Sequence, residues 1–182
     1  SLMIDELNTA EHVISQLLNT SKPDVDQKME TLDVRKGLQS VTDLLMSYGV
    51  VNQNKLDLSV QENLYISINI IEFKQLFINL VKNAIEVSNK GDSVVISAEQ
   101  KKKEIEFKVI DTAIGMSEEE MNSLGTPFYS LKSKGTGLGL MICFNIVEKY
   151  NGTIQFQSIV NQGTTVIVRF PVAEDPLTDK KE

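Results

Sequence analysis

The sequence predicts an α/β domain of mixed strand order that follows a helical N-terminal arm. Four stretches place apolar residues at three- and four-residue spacing, which is typical of amphipathic helices. Four further runs alternate apolar with polar residues and form two pairs joined by short turns, which is typical of β-hairpins. Because the two kinds of stretch are interleaved along the chain, both are expected in one domain.

The N-terminal helix is predicted from an apolar stripe in residues 3–21, formed by Leu7, Ala10, Val13, Ile14, Leu17 and Leu18. It ends before Pro23, since the residue that precedes a proline is disfavoured in the α region. The stripe could pair with a second copy of the chain or dock on its own domain. A polar connector follows, and Thr31 is predicted to cap a second helix.

The remaining elements follow in order along the chain. We predict strands over 56–60 and 64–68, a helix over 70–89 capped by Asn69, a hairpin of strands 93–100 and 104–111, a short acidic helix near 117–123, a helix over 136–150, and a hairpin of strands 153–159 and 164–170. The segment 112–135 is mostly irregular, and loops of this length are often lids or binding segments. The predicted organisation is a helical segment (1–23), a linker (24–30), the α/β domain (31–172) and a polar tail (173–182).

Composition excludes several classes of function. The 182 residues carry a net charge of −7, which argues against generic binding to nucleic acid or to an anionic membrane surface. One cysteine, Cys143, can form neither an intrachain disulfide nor a zinc cluster. No stretch of about 18 apolar residues and no secretory signal is visible, so we expect a cytoplasmic compartment and no membrane segment in this chain.

Two groups of polar residues come before the irregular segment 112–135, one on a helix and one at the end of the strand that leads into the segment. Asn79 and Asn83 are four residues apart and share one helix face, where carboxamide oxygens could ligate Mg²⁺ or simply be exposed. Asp111 ends an alternating strand, where its carboxylate could accept from an exocyclic amine or cap the next turn.

A third cluster, KSKGTGLGL, places Gly135, Gly137 and Gly139 at the start of the last helix. Free backbone N–H groups at a helix N-terminus form an anion site, and Lys132 and Lys134 add positive charge. The pattern is not a Walker sequence, since no Gly-Lys-Ser/Thr follows. It is not a dinucleotide fingerprint either, since a loop rather than a strand precedes it.

In this order the three clusters resemble the N box (73–88), the G1 box (111–116) and the F-box to G2-box region (126–140) of the GHKL, or Bergerat-fold, ATP-binding superfamily. The resemblance covers about 31–172 and is most specific for the catalytic ATP-binding domain of bacterial sensor histidine kinases, in the branch with sporulation and nitrogen-regulation kinases. It implies a two-layer α/β sandwich, with helices on one face of a mixed sheet. The first helix resembles the second helix of that family's dimerisation and phosphotransfer domain.

The resemblance implies a site for ATP and Mg²⁺. Its residues would be Asn79, Lys82, Asn83, Asp111, Ala113, Gly115, Met116, Phe128, Lys132, Lys134, Gly135, Thr136, Gly137, Leu138, Gly139, Leu140 and Thr164. Asn83 would ligate the Mg²⁺ that bridges the phosphates, and Asp111 would accept from the adenine amino group. Thr164 would support that adenine contact through a water, with Thr165 as the alternative.

The implied activity is transfer of the γ-phosphate of ATP to a histidine on the dimerisation domain of a homodimer, from which a response regulator receives it. His12, the only histidine, lacks the acceptor motif, so the acceptor and any catalytic residue are expected outside this chain. The hydrolysing relatives have a water-activating glutamate at the position of Asn79. Asn79 therefore favours transfer over hydrolysis.

One departure from the family pattern is Ala113, which replaces the first glycine of the G1 box. If that position needs a positive φ angle or close backbone approach, alanine reduces nucleotide affinity. Ala113 and the absent acceptor favour one alternative, a non-catalytic module that senses nucleotide or binds a partner. A further alternative is an ATPase or serine kinase of the same superfamily.

Overall fold

A five-stranded mixed sheet with helices packed on one face forms the domain in the computed structural model, which describes residues 28–47, 53–124 and 139–178. The strands are β1 (Glu30–Asp33), β2 (Lys55–Val60), β3 (Tyr65–Ile68), β4 (Ser93–Lys101), β5 (Glu104–Asp111), β6 (Thr153–Ile159) and β7 (Gly163–Pro171). The helices are α1 (Val34–Ser47), α2 (Ile70–Val87), α3 (Glu118–Asn122) and α4 (Gly139–Lys149). The predicted fold class is confirmed.

The large sheet has the strand order β2-β4-β5-β7-β6. Strands β2 and β4 are parallel, and every other neighbouring pair is antiparallel. Strands β1 and β3 form a separate two-stranded antiparallel sheet. None of the helices in the described ranges combines the length and the hydrophobicity that a membrane span requires.

Aromatic side chains join α2 to the centre of the sheet. Phe73 and Phe77 of α2 have ring centroids 4.7 Å apart, and Phe77 lies 4.9 Å from Phe107 of β5. Phe107 meets Phe170 of β7 edge to face, with centroids 6.1 Å apart. All four rings are fully buried, so α2 is fixed on β5 and β7.

Helices α2 and α4 pack against each other in opposite directions. At the start of α2, the buried Glu72 carboxylate accepts from the Tyr150 hydroxyl and the Lys149 ammonium group, each at 2.7 Å. One turn further along α2, the Leu76 carbonyl lies 3.8 Å from Cys143 Sγ. At the other end of the contact, a Cβ added to Gly139 would lie 3.2 Å from Asn79 Oδ1. The first residue of α4 is therefore held beside Asn79.

Two local expectations have different outcomes. Asn69 caps α2 as predicted, because its side chain accepts from the N–H groups of Ile71 and Glu72. The predicted helix cap at Thr31 is wrong, because Thr31 lies in β1 opposite Ser67 of β3. The helix begins at Val34, and Asp33 accepts from the N–H of Lys36 instead. The predicted helix over 3–21 and residues 136–138 lie outside the described residues.

We expect Tyr150→Phe to reduce the free energy of unfolding by about 1–3 kcal/mol. The variant removes the hydroxyl that donates to Glu72 and accepts from the buried N–H of Asn69. Urea unfolding measures the change, and Tyr65→Phe is the matched control, since the Tyr65 hydroxyl makes no hydrogen bond with described residues. An equal loss in the two variants would contradict the role of the Tyr150 hydroxyl.

Candidate functional site

Asp111 is the last residue of β5, and described groups donate hydrogen bonds to only one of its two carboxylate oxygens. The residue is 7% exposed, and its Oδ1 accepts from the N–H groups of Ala113 at 3.0 Å and Thr164 at 3.2 Å. No described group donates to Oδ2, yet no side-chain oxygen in the described ranges is both fully buried and unpaired. Oδ2 is therefore not fully buried and has no described hydrogen-bond donor.

Burial raises the pKa of the Asp111 carboxyl group above its usual value, and the two backbone N–H groups offset only part of this effect. The ionised form is thus less well solvated than at a protein surface. A hydrogen-bond donor on a ligand would supply the interaction that solvent does not. A perturbed carboxylate with one open oxygen is typical of a binding site.

Two glycines hold the loop after β5 against the turn between β6 and β7. Gly115 has a φ of +65°, and a Cβ there would lie 2.1 Å from the Ile159 carbonyl oxygen. Gly163 has a φ of +103°, and its Cβ would lie 2.1 Å from the Asp111 carbonyl oxygen. Since both positions combine a left-handed backbone with steric contact, neither accepts a side chain without rearrangement.

Ala113 does not have a positive φ angle. Its side chain is buried beside Asp111, and its N–H donates to the carboxylate. Alanine therefore fits this position without left-handed strain, which removes one of the two reasons for expecting weak nucleotide binding. The glycine that the backbone requires in this loop is Gly115.

The sheet register distinguishes the two candidate threonines. Thr164 pairs with Asp111 across β5 and β7, whereas Thr165 pairs with Ile110 and so lies on the opposite face. Thr164 is also linked to Ser158, a residue that the sequence interpretation missed. The Ser158 hydroxyl oxygen lies 2.7 Å from Thr164 Oγ1 and accepts from the N–H of Met116 at 2.8 Å. A single serine in an alternating strand carries no sequence signal for this role.

A second cluster lies where α2 meets the start of α4. Asn79 and Asn83 are half-buried on α2, and the Asn79 Nδ2 donates to the Gln75 carbonyl oxygen at 2.8 Å. This leaves the Asn79 Oδ1 directed at Gly139, beside the half-buried Leu140. Lys82 is buried and forms an ion pair with Glu86 at 3.7 Å.

The predicted site residues therefore fall into two described clusters. Asp111, Ala113, Gly115, Met116 and Thr164 surround the end of β5, and Asn79, Lys82, Asn83, Gly139 and Leu140 lie at the α2–α4 contact. Phe128, Lys132, Lys134, Gly135, Thr136, Gly137 and Leu138 lie outside the described residues. Within the described ranges, no group of three or more histidine, cysteine or acidic residues could hold a metal ion.

Comparison with known proteins gives consistent matches. Residues 68–174 match the family described as Histidine kinase-, DNA gyrase B-, and HSP90-like ATPase. The chain is 33% identical over 174 residues to the sensor protein DegM of Bacillus sp. strain B21-2, covering 96% of this chain and 46% of that protein. It is 34% identical over 171 residues to sporulation kinase B of Bacillus subtilis strain 168, covering 93% of this chain and 40% of that protein.

The fold also matches a solved structure. The catalytic domain of the histidine kinase ThkA, in a nucleotide-free form, aligns with a TM-score of 0.71 and 26% identity, covering 79% of this chain and 95% of that domain. The chain thus corresponds to nearly all of a solved catalytic domain, whereas it spans less than half the length of the two curated relatives.

Substitutions at the two small residues of the loop should act differently, since Gly115→Ala introduces strain and Ala113→Gly does not. We expect Gly115→Ala to reduce the free energy of unfolding by at least about 2 kcal/mol, because its Cβ overlaps the Ile159 carbonyl. We expect Ala113→Gly to reduce it by about 0.5–1 kcal/mol through greater freedom of the unfolded chain. Urea unfolding tests both, and a gain of stability in Ala113→Gly would show that alanine is strained after all.

Proposed function

Because the chain belongs to the family of histidine kinase-, DNA gyrase B- and HSP90-like ATPases, we propose that residues 31–172 are the ATP-binding catalytic portion of a two-component sensor protein-histidine kinase. The domain transfers the γ-phosphate of ATP to a histidine on a dimerisation domain. The observation that carries the proposal is the buried Asp111 carboxylate, with Oδ1 occupied by backbone N–H groups and Oδ2 open to a ligand.

In this proposal the adenine base lies at the end of β5. Its exocyclic amino group donates to Asp111 Oδ2, where burial has left the carboxylate without a described donor. Gly115 is proposed to lie close to the ring, in the loop that packs against the Ile159 carbonyl. Thr164, held beside Asp111 by its own N–H, provides the second polar group for the base. Guanine would be disfavoured, because it presents a carbonyl oxygen to the carboxylate.

The phosphates lie at the α2–α4 contact. Gly139 is the first residue of α4 and lies beside Asn79. A phosphate group at this position could therefore contact both the start of the helix and the Asn79 carboxamide. The preceding residues, with Lys132, Lys134, Gly135 and Gly137 among them, are proposed to complete the phosphate contacts. Backbone N–H groups at a helix N-terminus suit such an anion.

Mg²⁺ fits this arrangement as an ion shared between ATP and the protein. The described residues offer no cluster of carboxylates for it, and Mg²⁺ in nucleotide sites is held mostly by phosphate oxygens and water, with one or two protein ligands. The Asn83 carboxamide oxygen, on the same face of α2 as Asn79, is the proposed protein ligand. When bound, the ion neutralises charge that develops on the phosphates during transfer.

Transfer rather than hydrolysis is favoured by the chemistry of Asn79. A carboxamide is a poor general base, and its Nδ2 is already engaged with the Gln75 carbonyl oxygen. One argument for the non-catalytic alternative was a strained backbone at Ala113, and the φ angle there gives no such strain. The proposed partners are a histidine-bearing dimerisation domain, within a homodimer, and a response regulator. Residues 1–23 are proposed as part of that dimerisation domain and 24–30 as the linker, in a cytoplasmic protein.

Nucleotide binding can be tested on this chain alone. ADP with Mg²⁺ at about 100 times its Kd should stabilise the protein by about 2.7 kcal/mol, measured by thermal unfolding. ADP should stabilise the unmodified chain more with Mg²⁺ than with EDTA. In Asn83→Ala we expect this difference to be lost, while ADP still stabilises the variant in EDTA. Asn145→Ala, an exposed asparagine on α4, is the matched control and should behave as the unmodified chain does. No stabilisation at millimolar ADP would instead favour the non-catalytic module.

A further inference from the structure

The Ser158 side chain touches both the loop after β5 and the hydroxyl group of Thr164. Its hydroxyl oxygen lies 2.8 Å from the Met116 nitrogen, 3.0 Å from the Gly163 carbonyl oxygen and 2.7 Å from Thr164 Oγ1. It is half-buried on β6, on the face of the sheet that carries Asp111 and Thr164. Three polar neighbours around one hydroxyl restrict where its hydrogen can be.

Counting donors leaves two arrangements of hydrogen atoms. A serine hydroxyl has one hydrogen and two lone pairs, and the Met116 N–H occupies one of the lone pairs. In the first arrangement Ser158 donates to the Gly163 carbonyl, so the Thr164 hydroxyl must donate to Ser158. In the second arrangement Ser158 donates to Thr164, and the Thr164 hydrogen is free to point towards a ligand. The 2.7 Å contact between the two hydroxyl groups is kept in both.

These two arrangements present different groups to a bound base. In the first, Thr164 offers a ligand only lone pairs, and in the second it offers a donor. Adenine has an acceptor at N1 beside its exocyclic amino group, whereas a base with N1–H has a donor there. Asp111 Oδ2 can accept only from the amino group, so recognition of N1 needs a separate donor.

We infer that Ser158 is a positioning residue that determines base specificity: by donating to Thr164 Oγ1 it directs the Thr164 hydroxyl hydrogen at N1 of adenine, either directly or through one bridging water. This inference rests on the proposed adenine site. The same serine oxygen holds the Met116 N–H, and so it fixes the end of the loop that contains Gly115 while it orients Thr164.

The test compares ADP with 1-deazaadenosine diphosphate, in which N1 is replaced by C–H and the amino group is kept. The unmodified chain should bind the 1-deaza compound about tenfold more weakly than ADP, as expected for one lost neutral hydrogen bond. In Ser158→Ala the Thr164 hydroxyl group loses the partner that fixes its orientation, so this ratio should fall to less than about threefold, and ADP itself should bind several-fold more weakly. Titration calorimetry measures the four dissociation constants. Ser158→Thr keeps a hydroxyl group at this position and should show the same tenfold ratio as the unmodified chain.

Thr164→Val provides a second variant, since it removes the proposed donor and leaves Ser158 bonded to Met116. In Thr164→Val the ratio of the two dissociation constants should also be close to one. The double variant Ser158→Ala/Thr164→Val should show the same ratio as Thr164→Val alone. Gln157→Ala, on the opposite face of β6, should keep the ratio of the unmodified chain. An unchanged tenfold ratio in Ser158→Ala would overturn the inference, as would equal binding of the two compounds by the unmodified chain. Failure of the unmodified chain to bind ADP at all would instead refute the proposed function.

Discussion

The antiparallel contact between α2 and α4 is the constraint on which the rest of the site depends. Glu72 holds Tyr150 and Lys149 at one end, and Gly139 meets Asn79 at the other. Because Phe73 and Phe77 fix α2 on the sheet, the position of α4 along α2 decides where its N-terminus lies. The proposed phosphate site therefore rests on a fixed contact between the start of α4 and the Asn79 carboxamide.

The other half of the site depends on backbone fit rather than on side-chain packing. The loop after β5 approaches the β6–β7 turn so closely that Gly115 and Gly163 have no room for a Cβ. That approach brings the N–H groups of Ala113 and Thr164 onto a single oxygen of Asp111, and it leaves the other oxygen open. In the proposed site, the open oxygen favours a ligand that offers a hydrogen-bond donor.

Features set by local sequence were predictable, and those set by distant pairing were not. Asn69 caps α2 through N–H groups two and three residues away, so neighbouring residues alone predict this cap. Threonine is also a favourable residue at a helix N-cap. Thr31 nevertheless lies in a strand, because β1 pairs with β3, which is more than 30 residues away. The role of Ser158 depends on Met116, 42 residues away, so no local pattern could reveal it. The choice between Thr164 and Thr165 needed the register against Asp111, which the sequence does not contain.

The central claim is that this domain presents ATP for transfer to a protein histidine and does not hydrolyse it. The most direct measurement incubates the chain with Mg²⁺ and ATP labelled at the γ-phosphate, together with a separately purified dimerisation segment of the full-length sensor. The account predicts label on a histidine of that segment, stable in base and lost in acid, with little free phosphate. Steady release of phosphate without labelling of the segment would contradict it, because Asn79 would then not prevent attack by water.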